Sequence, residues 1–119
     1  MDAERIVVDF LNASKIGATA YYDVPSKRPT AFIVVERTGG PHSDYVVERP
    51  LLDIQCWAKT RRDAAVLAED AKTALLAMPA SVADCFHASI TSIFRDTDLD
   101  SGTPRYHVVC EITFTTHSA

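Results

Sequence analysis

Asp96, Asp98 and Asp100 stand at alternate positions and form the densest run of potential metal ligands in the chain. A helix–loop–helix calcium site begins that way, but it also needs glycine at loop position 6 and a bidentate carboxylate at position 12. Counted from Asp96, those positions hold Ser101 and His107, the glycine falls at 102, and both flanks read as strands. The run is therefore expected to be a solvated hairpin tip. His87 and His107 sit on polar faces of strand-like segments, and no H-E-x-x-H or Cys/His spacing gathers histidines for zinc. No metal or cofactor is expected, and both histidines read as surface residues. Cys56, Cys85 and Cys110 are an odd, widely spaced set inside strand patterns, as expected for buried reduced thiols that act as small hydrophobes.

Signatures of covalent catalysis are missing as well. No G-x-S-x-G occurs, and Gly39-Gly40-Pro41 lacks the helix and lysine that follow a phosphate-cradling loop. Lys27-Arg28 and Arg61-Arg62 are basic pairs without the interleaved aromatics of single-strand binders. Trp57 shares a strand face with Asp53 and Gln55, so it is either a contact residue or the cap of a secondary cluster beside a helix start. The expectation is a protein without enzyme activity.

Composition narrows the class further. The chain has 119 residues, which fits one domain spanning 1–119. Hydrophobic residues at 47% and charged residues at 24% exclude a disordered tail and a coiled-coil rod. Sixteen acidic against twelve basic residues leave a net charge of −4, which argues against a nucleic-acid regulator that works by neutralising phosphates. The longest apolar run is only a few residues, against roughly 20 for a membrane span. The N-terminus has no basic stretch followed by an apolar one, so synthesis in a reducing cytoplasm is expected.

The elements that must position these residues follow from periodicity. Residues 3–13 carry Ile6, Val7, Phe10 and Leu11 at helical spacing, with Asp2 as N-cap and Gly17 as the left-handed stop. Residues 18–23 and 30–37 read as strands, separated by a proline-bounded loop. Residues 38–45 are breakers. Leu52, Ile54, Cys56 and Ala58 alternate with Asp53, Gln55 and Trp57, and Pro50 should mark a strand start, bulge or edge. Thr60 and Asp63 read as a capping box opening a helix with Ala64, Leu67, Ala68, Ala71, Leu75 and Met78 on one stripe, stopped by Pro79. Two strands close the chain. In the first, Phe86, Ala88, Ile90, Ser92 and Phe94 share a face, and in the second Tyr106 to Phe114 alternate, joined by the polar turn 96–103. This order predicts an α+β fold: an antiparallel-dominated sheet of four to five strands with two helices on one face.

One stretch carries a family resemblance. Glu48-Arg49-Pro50 leads into the alternating strand that ends Cys56-Trp57-Ala58, which runs straight into Thr60-Arg61-Arg62-Asp63 and the alanine-rich helix. Later come the turn 96–103 and Pro104-Arg105-Tyr106-His107-Val108-Val109. Over residues 32–116 this order resembles the tail-terminator (tail-completion) proteins of long-tailed bacteriophages. The resemblance implies a structural virion protein at the head-proximal end of the tail. It implies a homohexameric ring that caps the tail tube, stops its polymerisation and meets the head-side connector, with the major tail tube protein as partner. DNA would pass through without specific binding, and six acidic copies would carry about −24. Loop position nominates Arg37, Thr38, His42, Asp44, Arg49, Trp57, Asp96, Asp98, Asp100 and Arg105 as interface residues. The alternatives are another head–tail neck or adaptor subunit, or a small α+β enzyme or ligand-binding domain using His87, His107 and the carboxylates 96–100.

Overall fold

A computed structural model of the chain describes residues 2–40 and 47–115. His42 and Asp44 therefore lie outside the described residues. The N-terminal helix α1 (Ala3–Ser14) is capped by Asp2, whose carboxylate accepts from the Arg5 amide at 3.1 Å. Its left-handed C-cap is Lys15 at φ 52°, two residues before Gly17, which is itself at φ 94°, and the helix runs one residue past the expected end at 13. Next come β1 (Thr19–Tyr21) and β2 (Phe32–Gly39), which pair in parallel, so the sheet is mixed. A ten-residue connection between them leaves no room for a crossover helix.

β3 (Val47–Glu48) and β4 (Leu51–Trp57) are one strand interrupted by Arg49-Pro50. Proline has no amide to donate, but its carbonyl still accepts from the Ile112 amide at 3.2 Å, so the ladder resumes at once. The same break receives Gly40 at φ +105°, where a Cβ would run into the Arg49 carbonyl; only glycine fits there.

α2 (Arg61–Leu76) starts at Thr60, whose hydroxyl accepts from the Asp63 amide at 3.1 Å. Only this forward half of the expected capping box forms among the described residues. The helix ends before Met78, and Pro79 lies in the first turn of a further short helix, α3 (Met78–Ser81). Proline's missing amide costs nothing in a first turn, so here it begins a helix instead of stopping one. β5 (Cys85–Arg95) and β6 (Arg105–Thr115) form the long closing hairpin.

The six strands run β1-β2-β4-β6, with β3 beside the end of β6 and β5 along its other side. α1 and α2 both cover one face, as the α+β reading expects. Leu52, Ile54, Cys56, Val108, Cys110, Ile112 and Phe114 point into that core and are fully buried. Each large apolar side chain so buried contributes roughly 1.5–3 kcal/mol. Ala64, Ala68 and Ala71 let α2 lie close on β4, β5 and β6.

The two sheet edges are finished differently. Along β1, the Asn12 side chain takes both backbone groups of Ala20: its Oδ1 accepts from the amide at 2.8 Å and its Nδ2 donates to the carbonyl at 3.2 Å. Along β5, register shifts at Cys85/His87 and Ile90/Ser92 insert one extra residue each. These bulges correct the expected alternation. Ala88, Ile90 and Ile93 pack against the core, whereas Phe86 and Phe94 stand 54% and 44% exposed. A strict period of two cannot survive an inserted residue.

Candidate functional site

The face of the sheet away from the helices carries the polar cluster. β4 projects Asp53, Gln55 and Trp57 onto it, and β6 projects Arg105 and His107. Gln55 pairs with His107, and Trp57 with Arg105, while β5 places Phe94 directly opposite His107. Asp53 pairs with Val109, so it is the diagonal neighbour of His107, within side-chain reach.

His107 is the centre of the cluster. Its Nδ1 lies 2.8 Å from both Asp53 carboxylate oxygens, and its Nε2 lies 2.9 Å from Asp96 Oδ2. Phe94 stacks on the imidazole with centroids 4.8 Å apart and planes 10° from parallel. Only 8% of the residue is exposed, so the surface role expected of His107 is corrected: cross-strand carboxylates and an aromatic lid enclose it. The hydrogen bond to Asp53 is the main influence holding its pKa above the ordinary histidine value, against desolvation, which pulls the other way. Asp96 is held below the usual carboxylate range, chiefly by its hydrogen bond to His107 and then by Arg105.

Arg105 completes the network. Its Nη2 donates to Asp96 Oδ2 at 2.8 Å and its Nε to the Asp96 carbonyl at 2.9 Å. Its guanidinium also lies 4.8 Å from the Trp57 ring centroid, and Arg28 covers the same ring at 5.2 Å. On its other flank Trp57 stacks with Phe32 at 5.1 Å. Trp57 is 3% exposed and forms the secondary cluster with Phe32 and Val34, the second of the two roles open to it from sequence. Its Nε1 is buried without an acceptor among the described residues, a cost on the order of 1–3 kcal/mol. The ring stacking and the two cation–π contacts offset that cost.

An imidazole with a carboxylate on each nitrogen is favoured in its charged form and presents neither nitrogen to a substrate. Chemically, the arrangement is a charged latch that ties the 96–104 turn to the middle of the sheet. The remaining nominated residues fall elsewhere. Asp98 anchors the hairpin turn, its Oδ2 accepting from the Ser101 amide at 3.1 Å, and Asp100 is exposed. His87 pairs with Thr113 and is offset from His107 along the hairpin. At the opposite end of the sheet, Arg37 bridges to Glu48 at 3.1 Å and its amide donates to Glu4 Oε2 at 2.7 Å. Thr38 and Arg49 are exposed beside it. The structure thus joins His107 with Asp96, two of the groups in the enzyme alternative, and adds Asp53, which was not nominated. No metal-binding group of three occurs among the described residues.

All three cysteines are free and buried. Burial pushes the Cys56 thiol far above its ordinary value and Cys110 up to about 12, with the Asp53 charge acting in the same direction. Among the described residues, no helix is long and apolar enough to cross a membrane. No protein-family model matches the chain, and no curated protein matches it.

Proposed function

We propose that this chain is a tail-terminator subunit of a long-tailed bacteriophage, a structural protein that forms a ring on the end of the tail tube. One observation carries the reading: the described residues nominated as contacts fall into two groups at opposite ends of one sheet. Gly39 pairs with Leu51 at one end, beside Arg37, Thr38 and Arg49, while Trp57 pairs with Arg105 at the other, beside the 96–104 turn. The seven residues of β4 separate them by roughly 20 Å. A ring stacked between two different assemblies needs two such ends on each subunit, one for the tube and one for the head-side connector. The molecule's long dimension of 45 Å, against 25 and 24 Å across, suits that role.

Two further points support it. The strand-to-helix passage from Leu51 to Leu76 and the turn before β6 are the elements on which the family resemblance rests. The acidic charge of −4 per chain suits a channel that lets DNA slide past without gripping it. Another neck or adaptor subunit would share this shape, and affinity for tail-tube protein separates the two.

The test is native mass and negative-stain imaging of the purified chain, alone at high concentration and on tail tubes. The expected result is a ring with a central hole and a mass near six times 13.1 kDa. A strict monomer that also ignores tail-tube protein overturns the reading.

A further inference from the structure

The proton count on His107 decides which of its contacts can exist together. A charged imidazole donates from both nitrogens, and both face a carboxylate here: Nδ1 lies 2.8 Å from the Asp53 oxygens and Nε2 lies 2.9 Å from Asp96 Oδ2. A neutral imidazole keeps one N–H, so one of the two carboxylates must then face a bare nitrogen lone pair. At hydrogen-bond distance, with no hydrogen between the atoms, that contact is repulsive.

The two carboxylates are not equivalent. The Asp53 side chain is 13% exposed and that of Asp96 is 50% exposed. Facing Asp53 with a lone pair strands a buried charge, which costs more than turning a half-exposed carboxylate toward water. Asp96 also keeps Arg105, whose Nη2 donates to its Oδ2 and whose Nε donates to its carbonyl. The neutral ring therefore keeps its proton on Nδ1 for Asp53 and gives up Asp96. The charged groups acting on the ring come from three places: Asp53 on β4, Asp96 at the start of the turn, and Arg105 on β6 itself. β5 contributes the uncharged Phe94 ring, while Arg95 pairs with Tyr106 and so belongs to the other face of the sheet.

Asp96 is the first residue after β5, where the strand gives way to the turn. Farther out, the turn is held by exposed contacts of its own. Asp98 Oδ2 accepts from the Ser101 amide, the Asp98 amide donates to the Thr103 carbonyl at 3.1 Å, and Arg28 Nη1 donates to Ser101 Oγ at 3.2 Å. We infer, independently of the ring reading, that His107 is a proton-operated latch: its charged form ties the 96–104 turn to the sheet through Asp96, and loss of the Nε2 proton frees Asp96 and loosens the turn while the Asp53 contact stays closed. The hydrogen bond to Asp53 favours the charged ring, so the opening falls on the alkaline side of an ordinary histidine titration.

The experiment follows both ends of the latch across the titration in the full chain. Long-range proton–nitrogen NMR spectra of the histidine rings report the charge and tautomer of His107. Methyl carbon relaxation of Thr97 and Thr103, both half-buried in the turn, reports its order. On raising pH, His107 is expected to lose its proton from Nε2 and keep Nδ1 protonated, and the two methyl order parameters to fall with the same midpoint. The variant Asp96→Asn, at a half-exposed position, separates the latch from a merely structural contact. Its amide oxygen can stay on Arg105 while its Nδ2 donates to the bare Nε2, so the loosening at high pH is expected to be lost although His107 still titrates. A neutral ring protonated on Nε2, a turn whose order ignores the titration, or an Asp96→Asn turn that loosens as the wild type does overturns the latch.

Discussion

Replacing Asp53 with asparagine keeps the side chain's shape and one acceptor but removes the charge that faces His107 at 2.8 Å. His107 has its pKa raised in the folded protein, first by that hydrogen bond. A raised folded-state pKa stabilises the fold at pH values below the unfolded histidine's, near 6.5. That stability is lost as pH rises through the folded value. Asp53 and His107 side chains are 13% and 11% exposed, so screening is weak there, whereas Asp96 at 50% is well solvated and adds little. A charge-assisted hydrogen bond is worth roughly 1.5–3 kcal/mol and a neutral one about 0.5–1.5. Asp53→Asn should then cost about 1–2 kcal/mol at pH 5.5, equivalent to roughly 3–10 °C in Tm for a domain of this size. As pH rises above the folded value the charged form is lost in both states, and the difference should shrink progressively toward a few tenths of a kcal/mol at alkaline pH. Chemical denaturation followed by circular dichroism at acid and alkaline pH measures it, and taking the difference from wild type cancels the other titrating groups. An equal cost at the two pH values, or none at pH 5.5, would refute the charged-latch account.

Two further outcomes follow from the same structure. Asn12→Ala strips both partners from the Ala20 backbone and opens the β1 edge, for an expected loss of about 1–2 kcal/mol in the same denaturation assay; hydrogen exchange should show β1 losing protection while β6 keeps it. Cys56 and Cys110, buried with thiol pKa values pushed far up, should resist a thiol reagent at pH 8 in the native protein and react fully in denaturant; rapid native labelling would contradict that burial.

Much of the fold was legible along the chain because it rests on local patterns. The Asp2 and Thr60 caps, the alanine stripe of α2 and the alternation of β4 and β6 are each set within a dozen residues, where period and capping chemistry act directly. Lys15 taking a left-handed position ahead of Gly17, itself at φ 94°, runs against local propensity, which favours glycine there, while Pro79 opening α3 uses the other role proline can play at a helix boundary. The bulges at Phe86 and Thr91 left no mark in the sequence, since an inserted residue is defined only against its partner strand.

The polar cluster shows the same boundary. That Asp53 and His107 lie on outward faces follows from the period of their own strands. That they touch does not, because β4 and β6 are separated by α2 and β5, and only packing on the shared core sets the register pairing Gln55 with His107. The sequence by itself determined the α+β class, the positions of the two long helices and which side chains of β4 and β6 alternate inward. Tertiary structure alone decided which outward residues meet: side-chain period is a property of one strand, whereas register belongs to two distant strands held against a common core.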